Sequence, residues 1–325
     1  MTVRSSVIVP TYKRPHMLAR CLDALLAQDF DPSAYEIIVA DDAACAETRR
    51  QVECLAARAR PFGPAIRYVA VTARHGPAAA RNVGWHAARA PILAFTDDDC
   101  IPERGWLKAG VAALGEGVAG AAGKLVVPCP AVPTDYERNA ALLANAEFVT
   151  ANCFYRRDAI ADVGGFDERF RVAWREDSDL VFRLIGRDAR LVRAPHAVVV
   201  HPVRPAPWGV SIRQQRRSIY NALLYKKHPA LYRERIQSAP PWRYYGICGT
   251  LLLALVSLML GKRRRTLLAT ALWLVLTGRF CLCRLDGTSR APGHVAEMAV
   301  TSAVIPPLTI FWRLRGALRY RVPFL

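Results

Sequence analysis

Ile92-Leu93-Ala94-Phe95-Thr96-Asp97-Asp98-Asp99 decides how this chain is read. Four apolar residues in a row fit a short strand buried on both faces, and three carboxylates follow almost at once. Like charges at successive positions repel, so the cluster costs stability unless something cationic sits there. If the strand ran on through the acids, alternate side chains would share a face. Asp97 and Asp99 would then point together, a pair of hard oxygen ligands for Mg²⁺ or Mn²⁺. The plain alternative is a solvated acidic turn after a buried strand.

Upstream of this stretch, strands and helices alternate. Val7–Val9, Glu36–Ala40 and Ile66–Val71 read as strands. Between them, His16–Gln28 carries Met17, Leu18, Cys21, Leu22, Leu25 and Leu26 at helical spacing, Glu47–Ala59 reads as a helix ended by Pro61, and Ala78–Ala88 as another. Short apolar strands between amphipathic helices predict a parallel sheet covered on both faces. Ligands bind beyond the carboxyl ends of such strands. Pro10-Thr11-Tyr12, Asp41-Asp42 and Asp97–Asp99 all fall there. Downstream, a helix is expected near Trp106–Leu114, strands near Gly123–Val127 and Ala151–Tyr155, and a helix near Ser178–Ile185.

The net charge of +18 resembles a nucleic-acid signature until it is located. Residues 201–325 hold 20 Lys/Arg against 3 Asp/Glu, leaving 25 against 24 for residues 1–200. The basicity therefore accompanies the long apolar stretches, which suits anionic lipid headgroups. No zinc-finger spacing or RNA-binding aromatic motif competes, so nucleic acid is not an expected partner. The nine cysteines are scattered without C-x-x-C, as suits a reducing cytoplasm, and no signal peptide is evident.

After a Pro202–Pro207 linker, Gly209–Lys227 reads as a basic amphipathic helix fit for a membrane interface, with Ile212, Ile219, Tyr220, Leu223 and Leu224 on its apolar side. Three apolar stretches follow near Tyr244–Leu260, Thr266–Cys283 and Val295–Trp312, each at the lower length limit for crossing a bilayer. Were all three to span, Lys262–Arg265 would lie outside, against the positive-inside tendency. A re-entrant or interfacial first stretch keeps that cluster inside, and the second and third then span.

These pieces resemble family 2 glycosyltransferases of the GT-A fold, over roughly Val7 to His201. Ser6-Val7-Ile8-Val9-Pro10-Thr11-Tyr12 is similar to the family's opening strand, and Glu36-Ile37-Ile38-Val39-Ala40-Asp41-Asp42 to its second strand with the nucleobase-contacting carboxylate. Gly76-Pro77-Ala78-Ala79-Ala80-Arg81-Asn82 resembles the G-x-x-x-A-R-N segment, and Arg175-Glu176-Asp177-Ser178-Asp179-Leu180 the E-D-x-D-L segment that holds the base. Four motifs in register are a specific match. The resemblance implies an α/β fold: a Rossmann-like, mostly parallel sheet flanked by helices, with a C-terminal helical membrane-associated region. The expected divisions are a catalytic domain over 1–205, a linker and interfacial helix over 206–240, and a membrane-associated region over 241–325.

It also implies roles. A divalent cation, Mn²⁺ or Mg²⁺, would be held by Asp99, with Asp97 as a second ligand or ribose contact, and would neutralise charge on the leaving β-phosphate. Asp42, beside Asp41, would contact the base, Pro10, Thr11 and Tyr12 would line the nucleoside pocket, and Arg81 would reach a phosphate. Asp177 is the expected general base, and a single displacement inverts the anomeric centre. Glu176 is a candidate for an acceptor hydroxyl and Trp174 for a sugar face. His201, 24 residues after Asp177, is a candidate third metal ligand. The position of Asp42 also suits a helix cap, and Glu176-Asp177-Ser178-Asp179 opens a helix where acids are favoured anyway.

Processive members carry Q-x-x-R-W after the base. Gln214-Gln215-Arg216-Arg217-Ser218 supplies Q-x-x-R but has serine for tryptophan, so transfer of a single sugar from a nucleotide-diphosphate sugar to a lipid-linked or membrane-proximal glycan acceptor is expected. The setting implied is an inner membrane with the catalytic domain cytoplasmic. A sugar nucleotidyltransferase would need a Gly-rich loop where Pro10-Thr11-Tyr12-Lys13-Arg14-Pro15 stands. A non-catalytic membrane scaffold would not need Asp42, Asp99 and Asp177 together.

Overall fold

The computed structural model describes residues 3–60 and 62–324; Pro61, expected to end a helix, lies outside them. The chain divides into two units. One comprises residues up to 128 together with 141–203, and the other 129–140 together with 204 onward.

The first unit is built on one eight-stranded sheet. Its strands are β1 (Ser5–Thr11), β2 (Tyr35–Asp41), β3 (Ala65–Ala70), β4 (Ile92–Phe95), β5 (Ile101–Pro102), β6 (Val118–Val126), β7 (Cys153–Arg156) and β8 (Arg190–Val200). They lie in the order β3-β2-β1-β4-β7-β6-β8-β5. The first four strands in sequence are parallel, β7 runs antiparallel to both β4 and β6, and β8 lies parallel to β6. The sheet is thus mixed, and its parallel half carries the sequence-predicted acids.

The helices, in chain order, are α1 (Pro15–Leu26), α2 (Ala46–Ala59), α3 (Pro77–Ala87), α4 (Trp106–Ala113), α5 (Asp135–Ala141), α6 (Arg157–Asp162) and α7 (Glu176–Ile185). All but α5 belong to the first unit. α1 buries Leu18, Cys21, Leu22 and Leu25, one face at helical spacing. α3 sits tight on β1: a Cβ at Gly84 would lie 2.5 Å from Ile8 Cγ2, so only glycine permits the approach. That closeness brings the next turn of α3, which bears Arg81, over the end of the parallel strands.

Two departures from the sequence reading have local causes. β6 starts at Val118, five residues before the expected Gly123, in a Gly/Ala run of low strand propensity. The small residues are needed there, because a Cβ at Gly120 would meet Tyr155 at 2.6 Å and one at Gly123 would meet Asn152 at 2.2 Å. β8 pairs with β6 through a register shift between Gly123 and Lys124, where the partner jumps from Ala194 to Val198 past Pro195. A proline cannot donate to the ladder, so a bulge forms. Asn152 closes the gap, donating to the carbonyls of Lys124 and Ala197 (both 2.9 Å) while accepting from Trp106 Nε1 at 2.8 Å.

The second unit is helical: α8 (Val210–Gln214), α9 (Ile219–Lys227), α10 (Pro229–Arg235), α11 (Trp242–Met259), α12 (Arg263–Leu285) and α13 (Pro292–Tyr320). The continuous amphipathic helix expected over Gly209–Lys227 is broken, with a 3-10 turn at Gln215–Ser218 between α8 and α9. Its apolar face is not free for lipid either. Ile219, Tyr220, Leu223 and Leu224 are buried, and Gly316 of α13 comes so near that a Cβ would sit 2.9 Å from the Ile219 carbonyl. Gln215 accepts from Thr309 Oγ1 at 2.8 Å, fastening the 3-10 turn to α13 as well.

α11, α12 and α13 are long and apolar enough to cross a membrane. At 1.5 Å per residue the 18-residue α11 reaches about 27 Å, close to a hydrocarbon core. The three meet around Ile247, Phe280 and Ile305, whereas Leu252, Leu253, Leu258, Leu267, Leu268 and Leu274 face outward. Outward leucine rows of this kind match lipid rather than water. Pro306 and Pro307 do not end α13, which runs through both.

Residues 129–140 lead into α5 and belong with the helical unit. Thr134 and Glu137 form a reciprocal capping box at the start of α5, with the Thr134 N–H donating to Glu137 Oε2 at 2.7 Å and the Glu137 N–H to Thr134 Oγ1 at 3.2 Å. Asp135 accepts from buried Arg284 of α12 at 2.8 Å, and Arg284 donates onward to Thr301 and Ser302 of α13.

Candidate active site

β4 ends at Phe95, and the three acids form a turn closed by the Cys100 N–H on the Asp97 carbonyl at 3.1 Å. Strand alternation therefore does not apply, and the carboxylates take three directions. Asp97 Oδ1 accepts from Arg81 at 2.8 Å. Asp98 is buried, accepting from Thr11 Oγ1 at 2.7 Å and from Arg14 at 3.1 Å. Burial pushes the Asp98 carboxyl up, with Arg14 opposing. Asp99 Oδ1 lies 3.6 Å from His201 Nε2. Asp99, His201 and Cys100 gather there, with one donor atom from each within 4.8 Å of the others. Asp97 is not in that group. Carboxylate, imidazole and thiol in such proximity are a donor set that fits a divalent ion.

At the end of β2, the two adjacent acids also divide their work. Asp41 is fully buried and builds the turn: its carboxylate accepts from the N–H groups of Ala43 (2.9 Å) and Cys45 (2.7 Å) and from the Tyr68 hydroxyl at 3.0 Å. These bonds tie the Asp41 carboxylate into its own turn. Asp42 faces the Gly76 loop, taking the Gly76 N–H on both oxygens (3.1 and 3.0 Å) with His75 Nδ1 at 3.1 Å from one of them. It does not cap a helix. Gly76 has φ +119°, a backbone that residues with a Cβ rarely adopt, at the entry to α3. Pro10 is half-buried, Thr11 is held by Asp98, and Tyr12 stands exposed beyond the strand end.

Arg81 joins the two halves of the site, a role the sequence does not announce. It is 2% exposed and donates to Asp97 at 2.8 Å and to Glu176 at 2.9 Å. Burial works against its charge, yet Asp97 and Glu176 outweigh that and hold its pKa above the ordinary value. The bond places the first turn of α7 beside the acidic turn. Glu176 is buried, and burial together with the Asp177 charge pushes its carboxyl up to about 7 against Arg81. Asp179 is buried too and pairs with Arg183 at 2.9 Å, the structural acid of this helix.

Asp177 remains half-buried, accepting from the Ser178 N–H at 2.6 Å; burial raises its pKa. Trp174 is half-buried, with Arg175 stacked 4.5 Å over its ring. Arg175 itself takes φ +76°, a costly conformation for a non-glycine residue at the entry to α7.

A sequence profile described as "Glycosyl transferase family 2" matches residues 6–165, and one described as "Glycosyl transferase family group 2" matches residues 135–282. Together they span the acidic turn, the Arg81 helix, α7 and most of the helical unit. The chain belongs to glycosyltransferase family 2. This glycosyltransferase is 29% identical over 229 residues to the glycosyltransferase AglE of Haloferax volcanii, covering 65% of this chain and 70% of that protein. It is 33% identical over 145 residues to the pre-mycofactocin glycosyltransferase of Mycobacterium tuberculosis, covering 40% of this chain but only 30% of that one.

Among solved structures, the mannosyltransferase PcManGT from Pyrobaculum calidifontis, in complex with GDP-Man and Mn²⁺, superposes with a TM-score of 0.57 at 20% identity, covering 99% of this chain and 88% of that one. TarS of S. aureus gives 0.51 at 18% identity, covering 98% and 54%. These likenesses establish the GT-A fold. Family membership carries the general activity: sugar transfer from a nucleotide-sugar donor.

Proposed function

We propose that this glycosyltransferase moves a single sugar, with inversion and with help from a divalent cation, from a nucleoside-diphosphate sugar to a hydroxyl of a lipid-linked or membrane-proximal acceptor. The observation that carries this reading is the Arg81 bridge, which holds the acidic turn and the first turn of α7 at one locus. Donor-side acids and a candidate base thereby share one place.

Asp99 and His201 would hold the cation, whose chemistry when bound is to neutralise charge developing on the leaving diphosphate. Asp42 and the Gly76 loop would fix the nucleoside. Asp97, paired with Arg81 at 2.8 Å, would contact the ribose. Asp177 would take the proton of the acceptor hydroxyl as that oxygen attacks the anomeric carbon from the face opposite the leaving group. A raised pKa suits that task, since a weak carboxylic acid is the better base. Glu176 would act through Arg81 by holding it in place.

A membrane-proximal acceptor is supported by the three outward-apolar helices and by the basic balance of residues 201–325. Single-sugar transfer is supported by Ser218 in place of the tryptophan of processive relatives. The catalytic unit would face the cytoplasm, as the nucleotide-sugar supply demands.

Thermal unfolding of the detergent-purified chain against uridine, guanosine and thymidine diphosphates, each with Mn²⁺ or Mg²⁺, tests this directly. One nucleotide at a hundred times its Kd should add about 2.7 kcal/mol, and only with metal. No stabilisation by any of them would sink the reading.

A further inference from the structure

Resting on the proposed cation position, we infer that Cys100 is a third ligand there and gives the site a preference for thiophilic ions, Zn²⁺ above all, over Mn²⁺ and Mg²⁺. The acidic triplet promises three hard oxygen donors, but the fold spends two of them elsewhere. Asp97 is engaged by Arg81, and Asp98 by Thr11 and Arg14. What gathers at the candidate position is one carboxylate, one imidazole and one thiol, from Asp99, His201 and Cys100.

The gathering has a structural cause. The Cys100 N–H closes the turn on Asp97, folding the residue after Asp99 back beside it. His201 is brought in at the end of β8, its N–H fixed on the Val126 carbonyl at 2.8 Å. Mg²⁺ favours six oxygens in an octahedron, whereas one Cys, one His and one carboxylate make a three-ligand zinc set with a position left open. Zn²⁺ also binds nitrogen and sulfur more tightly than Mn²⁺ does in the general divalent order. When the ion enters, a sulfur–metal bond forms and the thiol proton passes to buffer; nothing is oxidised or reduced. Free zinc would therefore compete with a hard ion for the same place.

The test uses the full chain in detergent, stripped by chelator and titrated with Co²⁺. The wild-type protein should show a sulfur-to-cobalt charge-transfer band saturating at one equivalent. Cys21→Ser, which changes the neighbouring thiol, should keep the band, while Cys100→Ser and Asp99→Asn should lose it. Zinc displacement of Mn²⁺, followed by the Mn²⁺ paramagnetic signal, should need about 10–100-fold more zinc in Cys100→Ser, the scale of change usual for ligand-sphere substitutions. Should Cys100→Ser fail to fold, His201→Ala leaves the sulfur in place and must still abolish the band. Cobalt bound with no Cys100-dependent band overturns the inference and leaves the hard-ion reading standing. No binding of Co²⁺ or Mn²⁺ overturns both.

Discussion

Replacing Arg81 by methionine keeps much of the side chain's volume and removes a charge paired with buried Glu176 and half-buried Asp97. The guanidinium is 2% exposed and lies 2.8 Å from Asp97 and 2.9 Å from Glu176. Deleting one partner of a buried ion pair costs about 3–5 kcal/mol, because the remaining charge has no compensation. At about 2–4 °C per kcal/mol for a unit of this size, Tm should fall by about 6–20 °C. The loss should also depend on pH, through Glu176. Burial first and Asp177 second push that carboxyl to about 7 even with Arg81 present, and it rises further without Arg81.

A carboxyl whose folded pKa exceeds its unfolded one is stabilising while protonated, and that contribution is lost as pH rises up to the folded pKa. In wild type the loss is complete near pH 7. In Arg81→Met it continues above 7, at up to about 1.4 kcal/mol per pH unit. Thermal unfolding followed by tryptophan fluorescence at pH 6 and pH 8 should therefore show a larger deficit at pH 8. An equal deficit at both values, or one below about 1 kcal/mol, would refute the reasoning.

Three further outcomes follow from other parts of the molecule. Gly76→Ala puts a Cβ 3.0 Å from the Arg171 carbonyl at φ +119°, and should cost about 1–3 kcal/mol in thermal unfolding and weaken nucleotide binding through Asp42. Arg284→Met leaves buried Asp135 without its ion-pair partner in α12 and should cost about 3–5 kcal/mol; the Arg284→Met/Asp135→Asn double variant should recover part of it, read by unfolding and by protease sensitivity of residues 129–140. A topology reporter fused after Arg265 should report the cytoplasmic side if α11 does not span, and periplasmic activity there would show that it does.

The parallel half of the sheet was legible because β1, β2 and β4 are continuous apolar runs whose ends coincide with polar residues. β6 begins before its sequence suggests because glycine and alanine carry no strand signal of their own. They are placed there to admit Tyr155 and Asn152, which only the folded neighbours reveal. The amphipathic pattern of residues 209–227 was real, but periodicity cannot say whether lipid or another helix covers an apolar face. Gly316 on α13 answers that from 89 residues beyond Lys227.

At the site, residue types in motifs marked the candidate residues but not the separate partners that each one takes. Asp41 and Asp42 look interchangeable in sequence, yet one is locked into a turn and the other grips the Gly76 loop. Asp97, Asp98 and Asp99 diverge because a single turn bond, from Cys100 to Asp97, replaces the strand that their spacing invites. Arg81 was readable as a phosphate-seeking arginine on a helix. Its burial between two acids could not be read, since Glu176 is 95 residues away along the chain. Cys100 gave no signal at all outside the fold that turns it toward His201.

Asp177→Asn tests the central claim most directly, measured by transfer rate and by Mn²⁺-dependent nucleotide binding in the same preparation. Losing a general base while donor grip survives should slow transfer by about 10²–10⁴-fold and leave nucleotide affinity unchanged. Transfer at the wild-type rate would show that α7 does not supply the base, and a parallel collapse of nucleotide binding would show that the residue serves the fold instead.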